Sequence, residues 1–238
     1  MKRSNCVVLG IAALAMAIPA HATLVGTSYQ VGEIPFPPPS VLHGQFTNNT
    51  FITLFQEQRG LILTKPVTVD AVTQNLIYTS KAQLVSTVIP VGTKINSWYA
   101  HADITDTKVK FPSQYISFSQ EEILLGLIVQ ASTLEASSPI VGVPTTQYDT
   151  TQTGVGLHFA PTGKDTVQMV PFSTSSPANT VNMNEIVVDI TPTDFRIITE
   201  IIPVPPSRAS NAFLGALAGL ALLGAVFSMR SARFQKSR

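Results

Sequence analysis

The chain has 238 residues, 45% of them hydrophobic and 12% charged, which suits one all-β domain or two small ones. Its formal net charge of +1 hides an uneven layout: between residues 23 and 202, eight basic residues meet all fourteen acidic ones, a body charge of −6. A mildly acidic body lacks the clustered basic face that a nucleic-acid partner requires, so that class of partner is excluded.

The N-terminus reads first. "MKR" is a positive n-region, "CVVLGIAALAMAI" an apolar h-region, and "PAHA" places Ala20 and Ala22 in the small-residue pattern of a cleavage site. Residues 1–22 are therefore expected to be a secretory signal peptide, a helix removed by signal peptidase after Ala22. The chain's one cysteine, Cys6, lies inside it. The mature chain then has no disulfide, no thiol nucleophile and no cysteine-ligated metal, and it relies on core size and sheet pairing for stability. Residues 23–44 follow as a Pro-rich extended leader, either an arm packed on the domain edge or a flexible segment. Pro35, Pro37, Pro38 and Pro39 favour a polyproline conformation and exclude a central strand.

From Gln45 to Ile202 short apolar or alternating runs are separated by turn residues, with no internal repeat. The candidate strands are "FITLFQEQ", "GLILT", "VTVDAV", "NLIYT", "AQLVSTVI", "KINSWYAHAD", "KVKF", "YISF", "EILLGLIVQA", "GVGLHFA", "DTVQMV", "EIVVDI" and "DFRIITEI". Their β-branched and aromatic content and their spacing predict one all-β domain over 45–202, an antiparallel sandwich or jelly roll. "SKAQLVSTVI" also admits a partly helical reading. "TLEASSPIVGVPTTQYD" and "STSSPANTVNMN" read as surface loops.

The chain then changes character. No residue from Ala212 to Met229 is charged. A helix over that run is roughly 27 Å long, close to the hydrocarbon thickness of about 30 Å, so 212–229 is expected to be a transmembrane helix. Gly215 and Gly219 have the small-xxx-small spacing of packed membrane helices. The basic end 230–238, with Arg230, Arg233, Lys236 and Arg238, fits the positive-inside rule and leaves the body outside the cytoplasmic membrane.

The layout of "IIPVPPSRASN", an apolar helix and a basic end resembles the PEP-CTERM sorting signal of bacterial surface proteins. Pro203, Val204 and Pro205 stand at the Pro-Glu-Pro motif, with valine in place of the glutamate. The resemblance implies that 203–238 is a sorting tail, processed by a membrane-embedded exosortase-like enzyme, and that the body is exported. It would be held at the membrane transiently or permanently and then reach the cell surface or extracellular matrix. From about Val91 onward the chain also resembles a core of unknown activity that recurs in such proteins. The matching residues are His101 and Asp103; Leu125, Gly126, Ile128 and Val129; Gly142, Pro144 and Tyr148; and the strand from Asp194 to Thr199. This second resemblance implies no catalytic residues.

His101, Asp103 and Asp106 in "HADITDT" form the best polar constellation. On a strand His101 and Asp103 share a face, and Asp106 would curl back through a turn. Two carboxylates and an imidazole would suit zinc or manganese, and carboxylates with backbone carbonyls would suit calcium. The plainer reading is a strand end with Asp capping the turn. Trp98 and Tyr99 are candidates for contact with a sugar ring; they point to opposite faces, so one is expected buried and the other exposed. Glu121 and Glu122 also face opposite ways and read as solvated turn residues, with no glycosidase pairing. Asp149 or Asp165 is left as a partner acid that only the fold can place. His43 and His158 stand alone. No nucleophile elbow, phosphate loop, zincin helix or dinucleotide fingerprint occurs. The expected function is an exported, non-enzymatic surface or matrix protein without a cofactor. A module binding extracellular polysaccharide is the alternative, and a secreted hydrolase stands third.

Overall fold

The structure, a computed structural model, describes residues 24–105, 108–149, 155–159, 164–171, 178–188 and 191–202. The signal segment, Asp106, the Pro203–Val204–Pro205 motif, the 212–229 run and the basic end lie outside the described residues. Among the described residues no helix is long and apolar enough to cross a membrane.

The protein is mostly β. In chain order the elements are β1 (Leu24–Thr27), β2 (Val31–Glu33), β3 (Ile52–Ile62), β4 (Val67–Val69), β5 (Ile77–Tyr78), β6 (Thr87–Ile89) and β7 (Lys94–Ala102). They continue with β8 (Val109–Phe118), β9 (Glu122–Ile128), α1 (Ala131–Val141), β10 (Thr166–Val170), β11 (Asn179–Val188) and β12 (Thr193–Ile201). Two five-stranded sheets result. Sheet I has the order β1-β8-β11-β10-β5 and sheet II the order β2-β3-β7-β12-β9; β4 and β6 form a separate ribbon. Every ladder is antiparallel except β2 with β3.

One apolar cluster joins the sheets: Ile52, Leu54, Trp98 and Phe195 from sheet II meet Phe111, Ile116, Met169, Val181 and Met183 from sheet I. Burying each large side chain contributes about 1.5–3 kcal/mol. A second cluster covers the other face of sheet II, where Phe55, Tyr99, Ile128 and Ile198 pack under Leu134 and Val141 of α1, Val67 and Ile89 of the ribbon, and Val41. Sheet II is thus apolar on both faces. Residues 95 to 102 of β7 are buried without a break. Sheet I is covered on one face only, and β10 alternates between buried and half-buried positions as the two-residue period dictates.

Three features depart from the sequence expectations. The leader is part of the body: Leu24–Thr27 and Val31–Glu33 supply an edge strand to each sheet, so the folded unit begins at Leu24 rather than near Gln45. The prolines beyond them form an arm, with the Pro38 carbonyl accepting from Thr146 Oγ1 at 2.7 Å and Val41 N donating to the Gln147 carbonyl at 2.9 Å. The "TLEASSPIV" stretch, read as loop, is most of α1, with Pro139 inside its last turn. Its start is held from outside by Asp70, whose Oδ2 accepts from Val129 N and Gln130 N and whose Oδ1 accepts from Thr133 Oγ1 at 2.8 Å. A remote carboxylate does there what a local N-cap residue usually does. Finally, "GVGLHFA" contributes one isolated bridge, Gln130 to Gly156, in place of a strand.

Candidate functional site

The candidate polar residues meet on the outer face of sheet II, under α1. Alternation along β7 turns Ser97, Tyr99 and His101 to that face, while β12 brings Asp194 and Arg196 opposite His101 and Tyr99. Glu57 comes from β3. Arg196 is wholly buried, and its Nε and Nη2 donate to Glu57 Oε2 and Oε1 at 2.8 and 2.9 Å. Nη1 donates to the Leu134 carbonyl at 2.9 Å and to Ser137 Oγ at 2.7 Å, and Nη2 also reaches Ser138 Oγ at 3.1 Å. All five guanidinium donors are thereby used. The rings of Tyr99 and Tyr148, edge to face with each other, both lie 4.9 Å from the guanidinium. Burial opposes the Arg196 charge, but the Glu57 carboxylate outweighs it and holds the group protonated. Burial, then Asp194, pushes the Tyr99 phenol up, and burial, then Glu57, does the same to Tyr148.

Asp194 continues the chain of contacts. It accepts from Tyr99 Oη at 2.9 Å and from His101 Nδ1 at 2.7 Å. His101 Nε2 faces the Phe46 carbonyl at 2.9 Å. Both partners of the imidazole are acceptors, an arrangement that favours the doubly protonated ring. Burial works against that charge; Asp194, its hydrogen bond, Asp103 and the Phe46 carbonyl raise the pKa in spite of it.

Of the proposed metal constellation, Asp106 lies outside the described residues, and His101 and Asp103 are engaged with other partners. His101 has both nitrogens engaged as described. Asp103, on the same strand end, accepts from Gly44 N at 2.6 Å, Ile104 N at 2.9 Å and His43 Nδ1 at 3.0 Å, and so fastens the 43–49 loop. Among the described residues no three His, Cys, Asp or Glu side chains converge for a metal. Trp98 and Tyr99 do point to opposite faces, yet both are buried, at 3% and 2% exposure. Trp98 packs on Phe118 across the sheets at 5.6 Å, and Tyr99 on Phe55 at 5.4 Å. The expected exposed platform is absent at these two positions because β7 is an inner strand of a sheet covered on both sides.

Glu122 is also placed differently from its expected solvated turn. It is fully buried at the start of β9. Thr199 Oγ1 donates to its Oε2, while Oε1, Asn96 Nδ2 and Trp98 Nε1 close no hydrogen bond of normal geometry. Burial pushes its pKa up, against the Thr199 hydroxyl, the nearby Asn96 amide, Arg59 and the Trp98 indole. Asp165 is buried as well and holds its loop, accepting from His158 N at 2.7 Å and Val187 N at 2.8 Å.

The glycines of the resembled core have steric reasons. A Cβ at Gly126 would sit 2.8 Å from Val69 Cγ2, and one at Gly142 would sit 2.8 Å from the Tyr148 ring. The first lets the ribbon lie on β9, and the second lets Tyr148 reach Arg196. A shallow groove of about 140 Å³ runs between β4 and α1, lined by Pro66, Val67, Thr133 and Ile140. Ligand clefts usually measure about 300–1,000 Å³. Sequence reading assigned no site role to Glu57, Arg196 or Tyr148: Glu57 stands among Gln56, Gln58 and Arg59 in β3, and Arg196 between Asp194 and Glu200 in β12, so nothing local set them apart.

Together these observations define an all-β protein of antiparallel sheets with one short helix and a polar network that joins strands to that helix. No known protein family matches the chain, and neither does any curated protein or solved structure.

Proposed function

We propose that this is an exported, non-enzymatic surface or matrix protein whose β-sandwich body is delivered by a C-terminal sorting tail. One observation carries the reading: β12 ends at Ile201, so the fold's last strand runs directly into Pro203–Val204–Pro205 and the uncharged run behind it. The network supports a scaffold role for the polar residues. Glu57, Tyr99, His101, Asp194 and Arg196 spend their hydrogen-bonding capacity on one another and on α1. Processing requires signal peptidase and an exosortase-like enzyme, and the polymer outside the cell is the setting in which the body acts. The test is to express the full chain with and without an exosortase and weigh the mature species. Loss of the residues beyond Pro205 only when the enzyme is present is expected; a tail retained in both cases makes it a permanent anchor.

Polysaccharide binding is the second reading, moved to a different surface. On the uncovered face of sheet I, Ile77, Gln168, Asn182 and Tyr115 form one row across four strands, with Ile77 and Tyr115 exposed. An aromatic beside two amides is the usual footing for a neutral sugar. Retardation of the protein in neutral polysaccharide gels, abolished by Tyr115→Ala, is the expected result; equal mobility across a broad glycan panel removes this reading.

A further inference from the structure

The two ends of the folded body emerge side by side. Leu24 of β1 pairs with Phe118, the last residue of β8. Ile201 of β12 pairs with Glu122, the first residue of β9, and Ile202 N donates to the Glu121 carbonyl at 2.9 Å. Phe118 and Glu122 are joined by the short turn 119–121, so both chain ends leave beside one turn, at one pole of the molecule.

The same pole has a distinctive rim. At this end of sheet II Ile62 pairs with Lys94, one position beyond the pairing of Ile95 with Glu200. The turn through Val91 lies just past it, fixed by Gly92 N to the Leu63 carbonyl at 2.9 Å. Ile62, Val91 and Ile202 are 60%, 58% and 39% exposed. Lys65 and Lys94 are exposed among them, and the half-buried Glu121 and Glu200 are the acids of this edge. The opposite pole, where Thr193 pairs with Ala102, lacks exposed aliphatic side chains among the described residues of its sheet II loops: Asn49, Thr50 and Thr105 lie exposed there, with Asn49 Nδ2 donating to Thr105 Oγ1, and Tyr29 stands exposed in the turn before β2.

We propose that the pole formed by the 119–121 turn, Ile62, Val91 and Ile202 is a lipid-facing surface that seats the body on an anionic bilayer. The inference rests on the tail reading above and adds an orientation to it. Nine residues separate Ile202 from Ala212, where the uncharged run begins. Fully extended they span roughly 30 Å, so this pole is the part of the body that a membrane helix keeps closest to the lipid. Aliphatic side chains at the headgroup level with lysine beside them follow the pattern of interfacial binding, in which apolar burial adds to attraction for anionic lipid; Lys65 and Lys94 are matched in number by Glu121 and Glu200, and Arg208 in the connecting sequence tips the balance to positive.

The mature chain's lack of cysteine makes the test clean. Full-length protein carrying Val91→Cys or Thr50→Cys, freed of its signal peptide, is reconstituted into phosphatidylglycerol vesicles without exosortase. Each cysteine is labelled with an environment-sensitive fluorophore and challenged with headgroup-quencher lipid. Quenching severalfold greater at position 91 than at 50 is expected, reduced by Ile62→Asp and by high salt. A chain that floats with the vesicles but quenches equally at both positions, or more at 50, overturns the orientation and leaves the tail reading standing. A chain that fails to float overturns both.

Discussion

The two sheets solve the burial problem differently. Sheet I hides one face, and its strands keep the alternation of apolar and polar residues; its outward side chains, such as Gln168, Asn182 and Tyr115, are left to water. Sheet II hides both faces, yet its inner strands β7 and β12 carry Asn96, Ser97, His101, Asp194, Arg196 and Thr199, all buried. A polar group away from water is tolerated when it is bonded. Sheet II therefore has to supply internal partners, and α1, Glu57 and the 43–49 loop are those partners. The contrast teaches that the helix and the charges under it are one structural unit: neither is stable in that place without the other.

The sharpest way to break this contrast is to remove one charge. Arg196→Met leaves Glu57 buried and unpaired and is expected to cost about 3–5 kcal/mol of folding free energy by chemical denaturation. Adding Glu57→Leu should recover most of that loss; a single-variant loss below about 1 kcal/mol would reduce the pair to the worth of an exposed one. Asp70→Ala removes the remote cap of α1 and strands several buried donors, with an expected loss of about 2 kcal/mol and a drop in helical circular dichroism.

The third test is pH. His101 has a raised pKa in the folded state, so its contribution is complete below the usual histidine value and is lost as pH rises through the raised one. Glu122 also has a raised pKa, so its buried neutral form favours folding below the usual glutamate value, and that advantage fades as pH rises through the raised one. Both predict a melting temperature that declines from acid toward neutral and alkaline pH. Glu122→Gln should flatten the acidic part of that decline and His101→Gln the later part; unchanged slopes in both variants would show that other groups govern it. A tenfold difference in proton affinity between the folded and unfolded chain is worth about 1.4 kcal/mol, enough to register in such a melt. The smallest effect belongs to sheet I: Lys110→Ala breaks a 3.0 Å pair with Glu185 on the exposed face and should move stability by no more than about 1 kcal/mol.

This difference also explains what was legible in the sequence. The alternating run "DTVQMV" became β10 as read, because a half-covered sheet obeys a local period. "EILLGLIVQA" was legible as a strand, but the burial of Glu122 at its head was not, since that depends on Asn96, Trp98 and Thr199 from distant strands. α1 was missed because its serines and Pro139 favour loops locally; Asp70 and Arg196, about sixty residues away on either side, hold it. Trp98 and Tyr99 were placed on opposite faces by alternation alone, whereas their common burial depended on what covers the far face of sheet II.

One feature of the topology bears on how such a chain is made. Among the described residues β12 is the last strand, yet it lies between β7 and β9, and β9 has no other ladder partner there. A chain emerging N-terminus first therefore cannot close sheet II until nearly all of its first 202 residues are available. Arg196 and Asp194 arrive with that final strand, so Glu57, Tyr99 and His101 lack their charged partners until then. Such long-range closure is slow. Sheet I and the β3–β7 ladder can pair before β12 is available, but completion of sheet II is timed by its arrival.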